Sequence, residues 1–278
     1  MECKLEDITV HYESFGDGRP IIMLHGWSIN HRHMVHEMEP LFRRRQGWKR
    51  VYLDLPGHGR TPGEDWITNQ DQILGVVLDF IDAVVPGQRF SVAGASAGAY
   101  LAQGLAYRRA ASIDGLLLTA PLMVADDAKR TLPPRVVLVE DPDLASQATE
   151  AEAQLLELCV VQDRGLLDKL TAALPSEEES GDQGFQSRIR ENPENYAFSF
   201  DVDALPEPLV APTLILCGRQ DSVVGYRDAW AILEHYPRAT FAVLDRSGHL
   251  LAVEQEDLFR ALVGEWLDRV EEWAGVAQ

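Results

Sequence analysis

Apolar and polar residues along this chain alternate between two rhythms. Ile21-Ile22-Met23-Leu24, Arg50-Val51-Tyr52-Leu53, Arg89-Phe90-Ser91-Val92-Ala93 and Gly115 to Thr119 are short, largely apolar runs of the kind that form strands buried on both faces. Between them lie longer stretches with helical spacing, from about His31 to Arg45, from Asn69 to Val85 and from Ala97 to Arg109. In the second of these, Ile73, Val76, Val77, Phe80 and Ile81 recur at three- and four-residue steps, which gathers them on one helix face. Strand and helix alternate three times, and this pattern predicts parallel βαβ units. Ahead of them, Ile8 to Ser14 is rich in β-formers and runs into Phe15-Gly16-Asp17-Gly18, which supplies a turn. An antiparallel strand is therefore expected to open the sheet.

The rhythm breaks after Pro121. From 122 to 208 the chain is rich in Glu and Asp, with helical segments at Glu150 to Val161 and Asp163 to Leu174. It resumes with strands at Pro212 to Cys217 and Thr240 to Leu244, and with helices at Tyr226 to His235 and from about Gln255 to Trp273. The expected architecture is an α/β fold with a mostly parallel central sheet and helices on both faces. Residues 1–121 and 209–278 build this core, and 122–208 form an inserted helical cap. No tandem repeat with a period of roughly 20 to 50 residues is visible.

Composition narrows the classes. With 46% hydrophobic and 25% charged residues, the 278-residue chain has the makeup of a globular protein rather than a disordered one. Its formal net charge of −19 repels nucleic acid and anionic membranes, so neither is an expected partner. Segment 122–208 holds 19 acidic and 7 basic residues and so carries about 12 of the excess negative charges. The basic run Arg43-Arg44-Arg45 reads as the solvated end of the first helix, where cations complement the dipole. Met1 to Asp7 alternates charged and apolar residues and lacks the apolar core of a secretory signal. The longest apolar stretch, Leu116 to Ala125, is shorter than the roughly 20 residues that span a bilayer. A soluble, cytoplasmic protein is expected, with Cys3, Cys159 and Cys217 as scattered packing thiols rather than zinc ligands or disulfides.

Gly94-Ala95-Ser96-Ala97-Gly98 satisfies the G-x-S-x-G pattern where a predicted strand meets a predicted helix. The pattern alone arises by chance in roughly one chain in ten of this length, so its position carries the weight. Small residues relieve crowding in a tight strand-to-helix turn, where a strained backbone projects the serine hydroxyl. A helix-capping serine is the plainer reading. A nucleophilic serine needs a base, and the base needs a group to orient it. His249, in Arg246-Ser247-Gly248-His249 directly after the last predicted strand, is the candidate base. Asp221 follows an earlier strand through Gly218-Arg219-Gln220 and is the candidate acid. Its competing reading is a turn or N-cap aspartate before the next helix, with Asp126 or Asp127 as substitute acid.

The order Ser96, Asp221, His249, with His25-Gly26-Trp27 and Asp54-Leu55-Pro56-Gly57-His58-Gly59 after two earlier strands, resembles the α/β-hydrolase superfamily in its form with a helical cap. The likeness covers nearly the whole chain outside 122–208. It implies an oxyanion hole made by the backbone N–H groups of Trp27 and Ala97. Asp54 and His58 read as loop-fixing residues, and His25 as structural rather than catalytic. Substrate-pocket candidates are His25, His33 and Phe198. The aromatic group Phe185, Tyr196, Phe198 and Phe200 either lines that pocket or forms a small core within the cap. Ala95 and Ala97 stand where many relatives carry larger residues, which leaves room beside Ser96. Serine at 96 argues against the haloalkane dehalogenase and epoxide hydrolase branches, whose nucleophile is a carboxylate.

The expected function is that of a serine hydrolase acting on a small-molecule substrate, a carboxylic ester, lactone or thioester, through an acyl-enzyme intermediate. Carbon–carbon bond hydrolysis and aminopeptidase activity stay open on the same triad. An aminopeptidase would use acids such as Glu177-Glu178-Glu179 to hold an ammonium, against the reading of that run as solvated and disordered. The non-enzymatic alternative is a ligand sensor that retains the triad and offers a cap surface to a protein. An apolar cap patch would mark it, and the cap helices are acidic instead. No P-loop or helix-opening G-x-G-x-x-G is present, so no cofactor is expected. No metal is expected either, because His31, His33 and His36 lack further local ligands.

Overall fold

The computed structural model describes residues 1–276 apart from 175, 177 and 178. Its first half contains β1 (Glu2–Lys4), β2 (Thr9–Phe15), β3 (Arg19–Leu24), α1 (His31–Phe42), β4 (Trp48–Leu53), α2 (Gln70–Val84), β5 (Phe90–Ala95), α3 (Ala97–Arg109) and β6 (Ile113–Thr119). The segment that follows holds β7 (Val139–Glu140), α4 (Pro142–Gln147), α5 (Glu150–Glu157), β8 (Val161–Gln162), α6 (Arg164–Ala173), α7 (Gln183–Arg190) and α8 (Pro193–Tyr196). The chain ends with β9 (Thr213–Gly218), α9 (Arg227–Ala231), β10 (Ala239–Leu244), α10 (Leu251–Glu254) and α11 (Glu256–Val276).

Eight strands form one sheet in the order β1-β2-β4-β3-β5-β6-β9-β10. From β4 to β10 every neighbour is parallel, while β2 joins β4, and β1 joins β2, antiparallel. This is the mostly parallel α/β fold expected from the strand–helix rhythm. Ile21 to Leu24, Val92, Ala93, Leu116 to Leu118 and Leu214 to Cys217 are essentially excluded from solvent. Each large aliphatic chain so buried contributes roughly 1.5–3 kcal/mol. The register pairs Leu24 with Gly94, Ala95 with Thr119, Thr119 with Leu216, and Gly218 with Leu244. The strands thus end level with one another, and the loops leaving β3, β5, β6, β9 and β10 share one edge, the usual place for a site in such sheets.

Several elements differ from expectation for identifiable reasons. β1 arises from the charged-apolar alternation of the N-terminus, a period-two pattern that suits a half-exposed strand. Asn69 and Asp163 cap their helices instead of entering them, accepting the amides of Gln72 and Leu166. The helix expected to reach Val161 stops at Glu157, because Val160 gives its amide to Glu254 and Val161–Gln162 pair with β7. α1 ends at Phe42 with no basic residue in its last turn. Arg45, read as a solvated helix-end cation, instead bridges Asp268 and Glu271 on α11, since a half-buried guanidinium gains more from two carboxylates than from the helix dipole.

The aromatic group weighed between a pocket lining and a separate cap core forms no core of its own. Phe185, Tyr196 and Phe198 belong to the main core, with Phe200 packed against it. Phe198 stacks on Tyr100 and Phe200, and Phe200 stacks on Tyr107, fastening 198–200 to α3. Among the described residues, the segment between β6 and β9 takes part in two aliphatic clusters instead. One joins Cys159, Leu166, Leu170 and Ala173 to Leu250 and Val253 of the chain just after His249, and the other holds Leu144, Leu156 and Leu167. The three cysteines are free thiols. Among the described residues no helix is long and apolar enough to cross a membrane.

Candidate active site

Ser96 sits between β5 and α3 with φ 53° and ψ −116°, a conformation unfavourable for any residue with a Cβ. The glycines on either side are needed for close approach. A methyl at Gly94 would run into the carbonyl of Gly98, and one at Gly98 into the carbonyl of Leu24. Among the described residues, the other non-glycine positions with positive φ are Ser28, Ala120 and Arg246. All four lie in the loops that follow β3, β5, β6 and β10. Strain of about 1–3 kcal/mol per residue is gathered along one sheet edge, as at functional sites.

The loops after β9 and β10 are zipped together before either delivers a side chain. Arg219 N–H donates to the Leu244 carbonyl and Gln220 N–H to that of Ser247. The Gln220 side chain donates to Asp245 and accepts the Ser247 amide. Beyond this clasp, His249 Nδ1 lies 2.9 Å from Asp221 Oδ2, and His249 Nε2 lies 3.0 Å from Ser96 Oγ. Asp221 is fully buried. Burial alone would raise its carboxyl, but His249 beside it and the amides of Val224 and Val223 hold it below the usual carboxylate range. An ionised carboxylate only accepts, so the proton of the neutral imidazole resides on Nδ1, and the lone pair of Nε2 faces the Ser96 hydroxyl. Such a chain can draw a proton from Ser96 as its oxygen attacks an electrophile.

Asp221 also performs the turn role weighed against the catalytic one. Its Oδ1 accepts Val223 N–H at 2.8 Å and Val224 N–H at 3.0 Å. The substitute acids are committed elsewhere, Asp126 to Lys129 and Asp127 to Arg130 and Arg190.

Ala97 opens α3, so its amide is one of those with no partner inside the helix. The loop after β3 closes on Ser96 from the other side, where a methyl at Gly26 would stand 3.4 Å from Ser96 Cβ. Trp27 follows, its ring wedged edge-on between His58 and Tyr196 at centroid distances of 4.7 and 5.0 Å. From Trp27, Ser28 and Ile29 a cavity of about 700 Å³ opens toward α5, α6 and α7. Leu155, Thr171, Gln186 and Arg190 are among its walls. Ser96 and His249 are not among them; the loop 26–29 joins the two regions, since the same methyl at Gly26 would also stand 3.4 Å from Ile29 Cδ1.

The three pocket candidates lie elsewhere, each held by buried partners. His25 Nδ1 donates to the Gly26 carbonyl at 2.7 Å, and its Nε2 accepts the Leu55 amide at 3.0 Å. Complete burial lowers its pKa to about 3, so the ring is neutral and fixes two loops. His33 pairs with Glu37 one turn along α1 at 2.9 Å, both side chains nearly inaccessible. Phe198 is in the aromatic stack on α3. His11, His31 and Asp54 bring possible metal-ligating atoms within 4.8 Å of one another. Asp54, however, already accepts the amides of His31 and Arg60 and the Nδ1–H groups of both histidines, so the cluster is closed by its own hydrogen bonds. Of the acidic run 177–179, Glu177 and Glu178 lie outside the described residues. Glu179 binds Arg32 and the Ser176 amide.

One residue at the site's margin went unread in the sequence. Glu254 accepts the amide of Gly248, directly before His249. The available signal was an acid closing the apolar run Leu250-Leu251-Ala252-Val253 five residues after the candidate base.

A sequence profile described as the Alpha/beta hydrolase family matches residues 21–262. The AB hydrolase superfamily protein YisY of Bacillus subtilis is 26% identical over 286 aligned positions, which span 94% of this chain and 96% of that protein. A pimeloyl-[acyl-carrier protein] methyl ester esterase of Shewanella woodyi is 25% identical across 94% of this chain and 98% of its own. The crystal structure of an alpha/beta superfamily hydrolase from Oenococcus oeni superposes with a TM-score of 0.87 at 28% identity, covering 98% of this chain and 99% of that one. Esterases and hydrolases among these relatives support a carboxylic ester hydrolase role. By the profile that spans most of its length, this chain belongs to the alpha/beta hydrolase family.

Proposed function

We propose that this protein is a serine hydrolase that cleaves a small carboxylic ester, lactone or thioester through an acyl-enzyme intermediate. The observation that carries the reading is the unbroken hydrogen-bond chain from Ser96 through His249 to buried Asp221 at the C-terminal edge of the sheet. Ser96 Oγ attacks the carbonyl carbon as His249 Nε2 takes its proton. The oxygen that turns negative is met by the amides of Ala97 and Trp27, each such donor contributing roughly 3 kcal/mol to the transition state. His249 then protonates the leaving alcohol or thiol, and the carbon–oxygen or carbon–sulfur bond breaks. Water, activated by the same imidazole, adds to the acyl-enzyme and releases the acid and free Ser96. Residues 122–208 act as a cap over this edge, and the cavity beyond Trp27 receives the part of the substrate distal to the ester.

The esterase names among the relatives favour an ester over an amide or a carbon–carbon bond. Of the acids suggested for an aminopeptidase, Glu179 is already paired with Arg32. Turnover of short p-nitrophenyl esters tests the reading. Ser96→Ala is expected to abolish it in a protein that unfolds at the wild-type temperature, and undiminished turnover in that folded variant would refute it.

A further inference from the structure

The segment after His249 packs on the inserted chain through Leu250 and Val253, then ends in a carboxylate that returns to the His249 loop. Glu254 Oε2 accepts the Gly248 amide at 2.6 Å, and Oε1 accepts the Val160 amide at 2.7 Å. Gly248 directly precedes His249, while Val160 lies between α5 and β8 of the inserted segment. The two backbones touch here, since a methyl at Gly248 would stand 2.6 Å from the Leu158 carbonyl and 3.2 Å from a Val160 methyl. Nearby Arg246 has φ 56°, and a strained loop keeps its shape only while its surroundings hold it.

We propose that Glu254 is a positioning residue that sets His249 against Ser96 by fastening Gly248 to Val160, so that one side chain couples the base to the inserted segment. This rests on the serine-hydrolase reading above. Burial raises the Glu254 carboxyl above its ordinary value while the backbone amides favour its ionised form, and both oxygens are used on backbone that cannot be repositioned by a rotamer change. A displacement of about 1 Å at a base costs up to roughly 100-fold in rate. Loss of either link therefore reaches the Ser96–His249 hydrogen bond, and Glu254, Gly248 and Val160 themselves do not line the cavity.

Glu254→Gln tests this, because it keeps the shape but must turn its amide nitrogen toward one of the two N–H groups and so breaks one link in either orientation. With p-nitrophenyl butyrate, kcat is expected to fall about 10- to 100-fold while KM stays within about threefold. In a His249→Ala background the same change is expected to leave the residual rate within about twofold, because its effect runs through His249. Thermal unfolding curves establish that each variant is folded. Glu254→Asp, which keeps the charge but is one methylene short, takes the place of the Gln variant if that one does not fold, with the same expectation. An unchanged kcat, a rise confined to KM, or a further loss in the His249→Ala background would overturn the proposal. Ser96→Ala assayed alongside separates the two claims. Turnover surviving there contradicts the serine-hydrolase reading, whereas a Ser96-dependent enzyme indifferent to Glu254→Gln contradicts only the role of Glu254.

Discussion

Asp221 divides its carboxylate between His249 and its own loop. Oδ2 holds the imidazole at 2.9 Å, while Oδ1 accepts the amides of Val223 and Val224. The turn that a sequence reader would count against a catalytic role is what aims the second oxygen. Asp221→Asn separates the two duties. The asparagine oxygen can still serve the turn, but its amide then faces Nδ1, which must become an acceptor and leave the proton on Nε2. Ester turnover is expected to fall by about 10³- to 10⁴-fold with the fold retained. Turnover within about tenfold of wild type would mean that Asp221 orients nothing of consequence.

Stability should pass through a maximum close to neutral pH. Burial lowers the pKa of His25 to about 3 and of His58 to about 4, and burial also lowers that of His11. Once unfolded, each takes up a proton near pH 6.5. The unfolded chain therefore gains protons as pH drops, and His25 and His58 together are expected to remove about 2 kcal/mol between pH 6.5 and pH 5.5. His31 and His33 work oppositely. Burial opposes their charge, but Asp54 and Glu37 outweigh it and raise both values, so their stabilisation is complete below about pH 6.5 and lost as pH rises through the native values. Denaturant midpoints measured from pH 5 to 9 should fall on both sides. A midpoint still increasing from pH 6.5 down to pH 5 would contradict the buried neutral histidines.

The charge of −19 should govern which esters arrive. An anionic ester must approach against this field, and Arg190 at the cavity wall is already engaged by Asp127. Raising salt from about 0.01 M to 0.5 M shortens the screening length from about 30 Å to under 10 Å. The kcat/KM of a carboxylate-bearing ester is therefore expected to rise severalfold while that of a neutral isostere stays flat. A fall with salt for the anionic ester would show instead that a local cation recruits it.

Much of this was legible in the chain because the relevant physics is local. Continuous apolar runs marked the buried strands, helical spacing marked the faces that cover them, and the glycines around Ser96 marked a strand and helix in close contact. Long-range pairings were not legible. Arg45 finds α11, and the Val160 amide finds Glu254 some ninety residues on. Arg45 was given to solvent when a distant helix supplied its partners. The aromatic residues Phe198 and Phe200 were misplaced for the same reason, since their partners on α3 lie some ninety residues earlier in the chain.

The most direct measurement is the mass of the protein itself during turnover. Quenched after mixing with a slowly hydrolysed ester, the enzyme should carry one acyl group, and fragmentation should place it on Ser96, with no adduct in His249→Ala. Steady release of the acid by a protein whose Ser96 stays unmodified at every quench time, and is not labelled by a fluorophosphonate, would contradict the account.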